Sequence, residues 1–220
     1  MNNSINPIKQ NIRVKQYLGW FITFTFPLAI KELMEMTNRP IIAAAFYWFI
    51  CGILLRYTME QRLPYFNPNY KKVKREIILL FLVTFLCGYL YVDWIGYSKV
   101  MINRNLVMNM FIFALLNGAF EHLVWINIFD LAGSKLKING FMAACIYTVL
   151  IHILFWSKFM PIPGLDKVLF LLSEGLMFII PFIIYVKTED ITIWSIQHII
   201  YNLIIVIFGG FGANSFIYIN

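Results

Sequence analysis

Charge is scarce in this chain. Only 13% of its 220 residues are Asp, Glu, Lys or Arg, against about 25% in an ordinary soluble domain. A chain so short of charge cannot cover a water-facing surface, which excludes a soluble globular protein. The period-two alternation of membrane β-barrel strands, each about ten residues long, is missing as well. No small-residue cleavage site follows the first apolar run, so no removable signal peptide is expected. Cysteine is represented by Cys51, Cys87 and Cys145 alone. All three stand in apolar runs without Cys-x-x-Cys spacing and read as packing residues. There is no internal repeat, low-complexity linker or second composition, so residues 1–220 read as a single integral membrane domain.

What the chain has instead is long apolar runs. Hydrophobic residues make up 60% of it, and the mean hydropathy is +0.73. Runs nearly free of charge lie at Tyr17–Ile30, Ile41–Leu55, Ile77–Val92, Leu106–Phe129 (interrupted by Glu121 and His122), Ile138–Trp156, Val168–Val186 (interrupted by Glu174) and Ile191–Phe208. They are apolar all round, unlike the two-faced helices of soluble proteins. A bilayer needs about 20 such residues per helix, so the expected fold is an all-α, polytopic transmembrane helical bundle of about seven spans. The first two runs are short.

The net charge of +7 follows topology rather than a nucleic-acid partner. With seven spans, twelve basic residues fall on the side of the N-terminus and six on the other. The first set includes Arg56, Arg62, Lys71, Lys72, Lys74, Arg75, Lys135, Lys137 and Lys187; the second includes Lys31, Arg39, Lys99 and Arg104. Basic loops are retained in the cytoplasm, which places the N-terminus inside and the C-terminus outside a cell membrane. The longest loop, Arg56–Arg75, reads as an anchor at the lipid headgroups.

Ionisable groups at membrane depth are costly and mark function. Glu121 and His122 interrupt the fourth run, His152 lies in the fifth, Glu174 in the sixth, and His198 with Asn202 in the seventh. All three histidines of the chain fall inside apolar runs. His198 and Asn202 are four apart and share one helix face. Three helices thus carry polar groups at middle depth, the way bundle cores build sites. A carboxylate with a histidine can hold and deprotonate a water. A second histidine with an asparagine amide can donate to a developing oxyanion. Zinc is the competing chemistry for three histidines and a glutamate. However, His-Glu-x-x-His is absent, and Gly118 stands where the reversed motif needs its first histidine. Ser173 and Ser195 form no clear Ser–Lys constellation for serine-based hydrolysis, and no paired mid-span aspartates exist.

Glu121, His152 and His198-Ile-Ile-Tyr-Asn202 resemble, in order and spacing, the three motifs of the CPBP (CAAX protease and bacteriocin-processing) family of intramembrane glutamic endopeptidases. The resemblance covers roughly residues 106–208. It implies a CAAX-protease-like helical core in which Glu121 and His152 activate water while His198 and Asn202 form the oxyanion hole. No cofactor and no metal are implied; the partners are a peptide or membrane-protein substrate and the lipid bilayer. The first motif departs from the family: His122 replaces its second glutamate and Ile126 its arginine. Those positions are four apart, where an ion pair fits, and losing both partners can be nearly neutral. His122 is then a packing residue tolerant of exchange, or an additional member of the site.

Two functions follow as expectations. One is an intramembrane endopeptidase that processes a peptide precursor or membrane-associated protein. The other is a catalytically silent relative that binds a peptide or partner, for instance in bacteriocin immunity or regulation. A small transporter is disfavoured because the spans show no inverted repeat.

Overall fold

The computed structural model describes residues 7–209 apart from 68, 97–103, 160 and 162–163, with the backbone alone for 7–10 and 105. Among the described residues there are helices and no strands. Six helices are long and apolar enough to cross a membrane: α2 (Pro40–Thr58), α3 (Lys74–Ile95), α4 (Leu106–Ala132), α5 (Lys137–Lys158), α6 (Val168–Thr188) and α7 (Thr192–Gly209). The chain is therefore a multi-pass membrane protein. The seventh expected span, Tyr17–Ile30, belongs to α1 (Pro7–Thr37), which is not among the six. Lys31, Glu32 and Glu35 follow its apolar run closely and dilute it. One face of α1 packs on α4 and α5, and the other exposes Tyr17, Phe21, Phe24 and Leu28.

α4 is the central element. It touches α1, α2, α5 and α7, and 72% of its most apolar stretch is buried, against 33–44% in the other five. That enclosure explains why it can carry Glu121, His122 and Asn127, each at most 1% exposed. α4 and α7 approach closely at Gly118. A Cβ there would lie 2.7–2.9 Å from Ile199, including 2.8 Å from its backbone nitrogen. Small residues at such crossings replace the hydrophobic drive that lipid removes.

Two helices change pitch. α2 runs as π-helix over Tyr47–Leu54 and α4 over Met110–Asn117. The Asn127 amide donates to the Cys51 and Gly52 carbonyls at 3.1 and 2.7 Å, tying α4 to the widened turns of α2. π-Helical turns are uncommon and gather at functional sites; both stretches here border Glu121.

One end of the bundle is fastened by charge. Arg56 donates to Asp130 at 2.7 Å, to the Arg62 carbonyl at 3.1 Å and to the Tyr185 hydroxyl at 3.4 Å. Tyr185 in turn donates to Asp130 at 2.7 Å. Arg56 is thus no free loop charge, as the sequence suggested, but a buried member of an ion pair joining α2, α4 and α6. Lys187 pairs with Glu76 between α6 and α3. Lys99, counted with the opposite group of basic residues, lies outside the described residues. The Arg56–Arg75 loop is also more than a headgroup anchor. Pro64 accepts from Ile191 at 2.7 Å, the Asn67 amide donates to Asp190 at 2.8 Å, and the Tyr65 hydroxyl donates to the Ala119 carbonyl at 2.6 Å. Burial pushes the Tyr65 phenol well up, so it stays a protonated donor at neutral pH.

Candidate active site around Glu121

Glu121 lies nine residues before Asp130 on α4, about 14 Å along the axis at 1.5 Å per residue. With Asp130 at headgroup depth, that is close to the middle of a hydrocarbon core about 30 Å thick. A carboxylate there needs partners, and it has four. Oε1 accepts from the Trp156 indole at 3.0 Å and the Tyr47 hydroxyl at 3.4 Å. Oε2 accepts from the Asn117 amide at 2.8 Å and meets His198 Nε2 at 3.1 Å. The donors come from α2, α4, the end of α5 and α7, so four parts of the chain converge on one side chain.

Asn117 is fixed in turn. Its Oδ1 accepts from the Trp48 indole at 2.9 Å, which leaves its NH₂ facing Glu121. Asn117 closes the π-helical stretch of α4 and Tyr47 opens that of α2. The altered pitch of both helices ends on groups that hold the carboxylate.

The four residues expected from sequence are not equally placed. Glu121 and His198 are in direct contact. Asn202, one turn along α7 from His198, is buried and donates to the Phe113 carbonyl at 3.4 Å. His152 does not hydrogen-bond Glu121; its Nδ1 meets the Thr148 carbonyl at 2.8 Å. A carbonyl only accepts, so Nδ1 bears the proton and Nε2 of the neutral ring is an acceptor. His152 is half-buried, and a charge on its ring would act on both Glu121 and Glu174. The histidine in direct contact with the glutamate is His198. Glu174, a lesser candidate from sequence, is exposed on α6 yet within electrostatic reach of His152 and His198.

His122 is fully buried and neither ring nitrogen has a well-formed hydrogen bond; the Gly118 carbonyl one turn back is an acceptor facing it. Its ring stacks at a tilt on Trp194, centroids 4.5 Å apart, and meets Trp125 and His198 edge-on at 4.9 and 4.4 Å. This is an aromatic packing position. His122→Phe keeps a ring but adds volume to a closed site, and is expected to fold with a loss of about 1–3 kcal/mol. His122→Ala is not the neutral exchange that the sequence suggested, because it empties a site among three rings and costs about 2–4 kcal/mol. Thermal unfolding of the two variants in detergent checks both; an alanine variant as stable as wild type would contradict the packing role.

Sequence reasoning missed Tyr47, Asn117 and Trp156. Asn117 was within reach, being one helical turn before Glu121. The two aromatics stand in apolar runs where nothing separates a hydrogen-bond donor from a packing ring. Among the described residues no group of three metal-ligating side chains comes together. Two clefts on the bundle surface are not lined by Glu121, and its side chain is enclosed by its own donors. No protein-family model, curated protein or solved structure matches the chain.

Proposed function

We propose that this protein is a metal-independent, glutamic-type intramembrane endopeptidase acting on a peptide precursor or a membrane-associated protein. The observation that carries this reading is the 3.1 Å contact between a buried glutamate and His198 in the bundle core, with Asn202 one turn further on the same helix. In this scheme a water held between Glu121 and the free Nε2 of His152 gives a proton to Glu121 as its oxygen attacks the scissile carbonyl carbon. The carbonyl oxygen becomes an oxyanion that accepts from His198 and the Asn202 amide. The C–N bond then breaks, and the proton on Glu121 passes to the leaving amine. Tyr47 is the weakest of the four donors by distance, so its place on Oε1 is the one a water takes most readily. By the same likeness of motifs, the core at residues 106–208 is of the CPBP type.

A second reading keeps the fold and drops the chemistry: an inactive relative that binds a peptide or partner as an immunity or regulatory factor. Two features favour it. A carboxylate has about four acceptor positions, and all four are occupied. His122 and Ile126 also replace the polar pair of the family's first motif.

We further propose that the Arg56–Asp130 end faces the cytoplasm, since Arg62, Lys71, Lys72, Lys74, Arg75 and Lys137 gather there. This holds whether or not α1 crosses.

Membrane peptidomes from cells bearing the intact protein, its Glu121→Gln form or none separate the two readings. Peptides that vanish in both the second and third samples indicate cleavage. A phenotype fully retained by Glu121→Gln indicates binding. Chelation is expected to leave cleavage unchanged; loss with EDTA and recovery with zinc would make the histidines ligands and sink the glutamic mechanism.

A further inference from the structure

The fastened end of the bundle holds a cavity of about 360 Å³ lined by Arg56, Arg62, Lys137, Asp130, Glu189 and Val186, among others. Its charges are not all spent on one another. Arg56 and Asp130 neutralise each other at 2.7 Å. Arg62 has no ion-pair partner among the described residues, and its backbone carbonyl alone is used, by Arg56. Lys137 is 65% exposed, only 3.9 Å from Asp130, and sits over the Phe129 ring at 5.1 Å. Glu189, at the left-handed C-terminal residue of α6, is the remaining carboxylate. Two cations and one carboxylate leave a net charge of about +1 beside a fixed ion pair.

One side of the cavity meets the apolar outer face of α6. Val186 lines it and continues a stripe of exposed apolar residues on α6, Leu172, Leu176, Ile179 and Ile183. Their spacing of three and four puts them on one helix face. A ligand with an anionic head and an apolar tail fits both halves: the head between Arg62 and Lys137, the tail along α6.

We propose that this cavity binds the phosphate of a glycerophospholipid from the leaflet at the Arg56–Asp130 end, preferring an anionic headgroup over a zwitterionic one. Arg62 and Lys137 hold the phosphate oxygens, Gln61 adds an amide donor, and the Arg56–Asp130 pair forms a floor that does not move. Glu189 faces the headgroup's outer part, where it tolerates hydroxyls and repels a second negative charge. The inference does not depend on whether Glu121 is catalytic.

The test is native mass spectrometry of the detergent-purified full chain with dioleoylphosphatidylglycerol and, separately, dioleoylphosphatidylcholine. The expected result is one retained phosphatidylglycerol per protein, with phosphatidylcholine held more weakly. Arg62→Gln with Lys137→Gln should weaken phosphatidylglycerol about thirtyfold, from about 1 kcal/mol per basic residue. Both side chains are exposed, so the fold is expected to stand, and an unchanged thermal melt confirms it. Lys71→Gln with Lys72→Gln removes equal charge outside the cavity and should leave retention unchanged. The proposal fails if the cavity variant retains the lipid like wild type, or if the loop variant loses it equally, which would mean diffuse attraction. It also fails if millimolar inorganic phosphate displaces the lipid, which would make free phosphate the ligand.

Discussion

Replacing Asp130 with alanine is expected to destabilise the protein by about 3–5 kcal/mol, the cost of leaving a buried charge without its partner. Arg56 is the charge in question, with its side chain 6% exposed and that of Asp130 11% exposed. The Tyr185 hydroxyl loses its acceptor in the same step, and Lys137, itself a cation beside Asp130, has the wrong sign to compensate. In detergent this corresponds to a fall in melting temperature on the order of 10 °C. Exchanging both partners, Arg56→Leu with Asp130→Leu, should recover much of the loss, because no unpaired charge remains. If Asp130→Ala melts within a degree of wild type, the pair is open to water and contributes nothing to holding α2 against α4.

Glu121→Gln is expected to lower cleavage by about 10²–10⁴-fold, the range general-base catalysis contributes. The exchange also disturbs the fold, in a way the hydrogen-bond pattern specifies. An amide nitrogen in place of Oε1 would face the Trp156 indole N–H; in place of Oε2 it would face the Asn117 amide. Asn117 cannot turn over without abandoning Trp48. At least one buried donor is therefore left unmet, at about 1–3 kcal/mol. Activity must be compared at a temperature where the variant remains folded. A folded Glu121→Gln protein that still cleaves at the wild-type rate would remove Glu121 from the chemistry. Tyr47→Phe is the informative companion, since it takes away one donor at 3.4 Å and leaves the other three in place.

The spans were legible in the sequence because lipid demands unbroken apolar runs, and α2 to α7 coincide with six of the seven runs read there. α1 stands apart from those six for the same reason: its run is real, but three charges crowd its end. Glu121 was legible as an interruption, and His198 as its neighbour in depth. The rest of the carboxylate's surroundings was not. Tyr47 and Trp156 lie 74 and 35 residues from Glu121 along the chain, and an aromatic in a membrane helix is ordinary packing until a partner is seen. Arg56 was read as a loop cation because Asp130, the residue that buries it, is equally remote in sequence. The standing of His122 also turned on tertiary contact: Trp194 and His198, two of the rings around it, come from α7.

The π-helical stretches give this protein an unusual kind of constraint. Phe49, Ile50 and Leu54 in α2, like Phe111 and Leu115 in α4, face outward, and any large apolar side chain serves there. The number of residues is another matter. Deleting one of these outward positions lets the stretch fall back to α-helical pitch, which keeps the flanks in nearly the same rotation but closes the widened turn between them. In α2 that closes the turn whose Cys51 and Gly52 carbonyls Asn127 grips; in α4 it alters the turn that ends on Asn117, a donor to Glu121. Relatives of this chain should therefore drift freely in spelling across Tyr47–Leu54 and Met110–Asn117 while keeping their length unchanged, so that a gap in either stretch marks a protein that has lost the site.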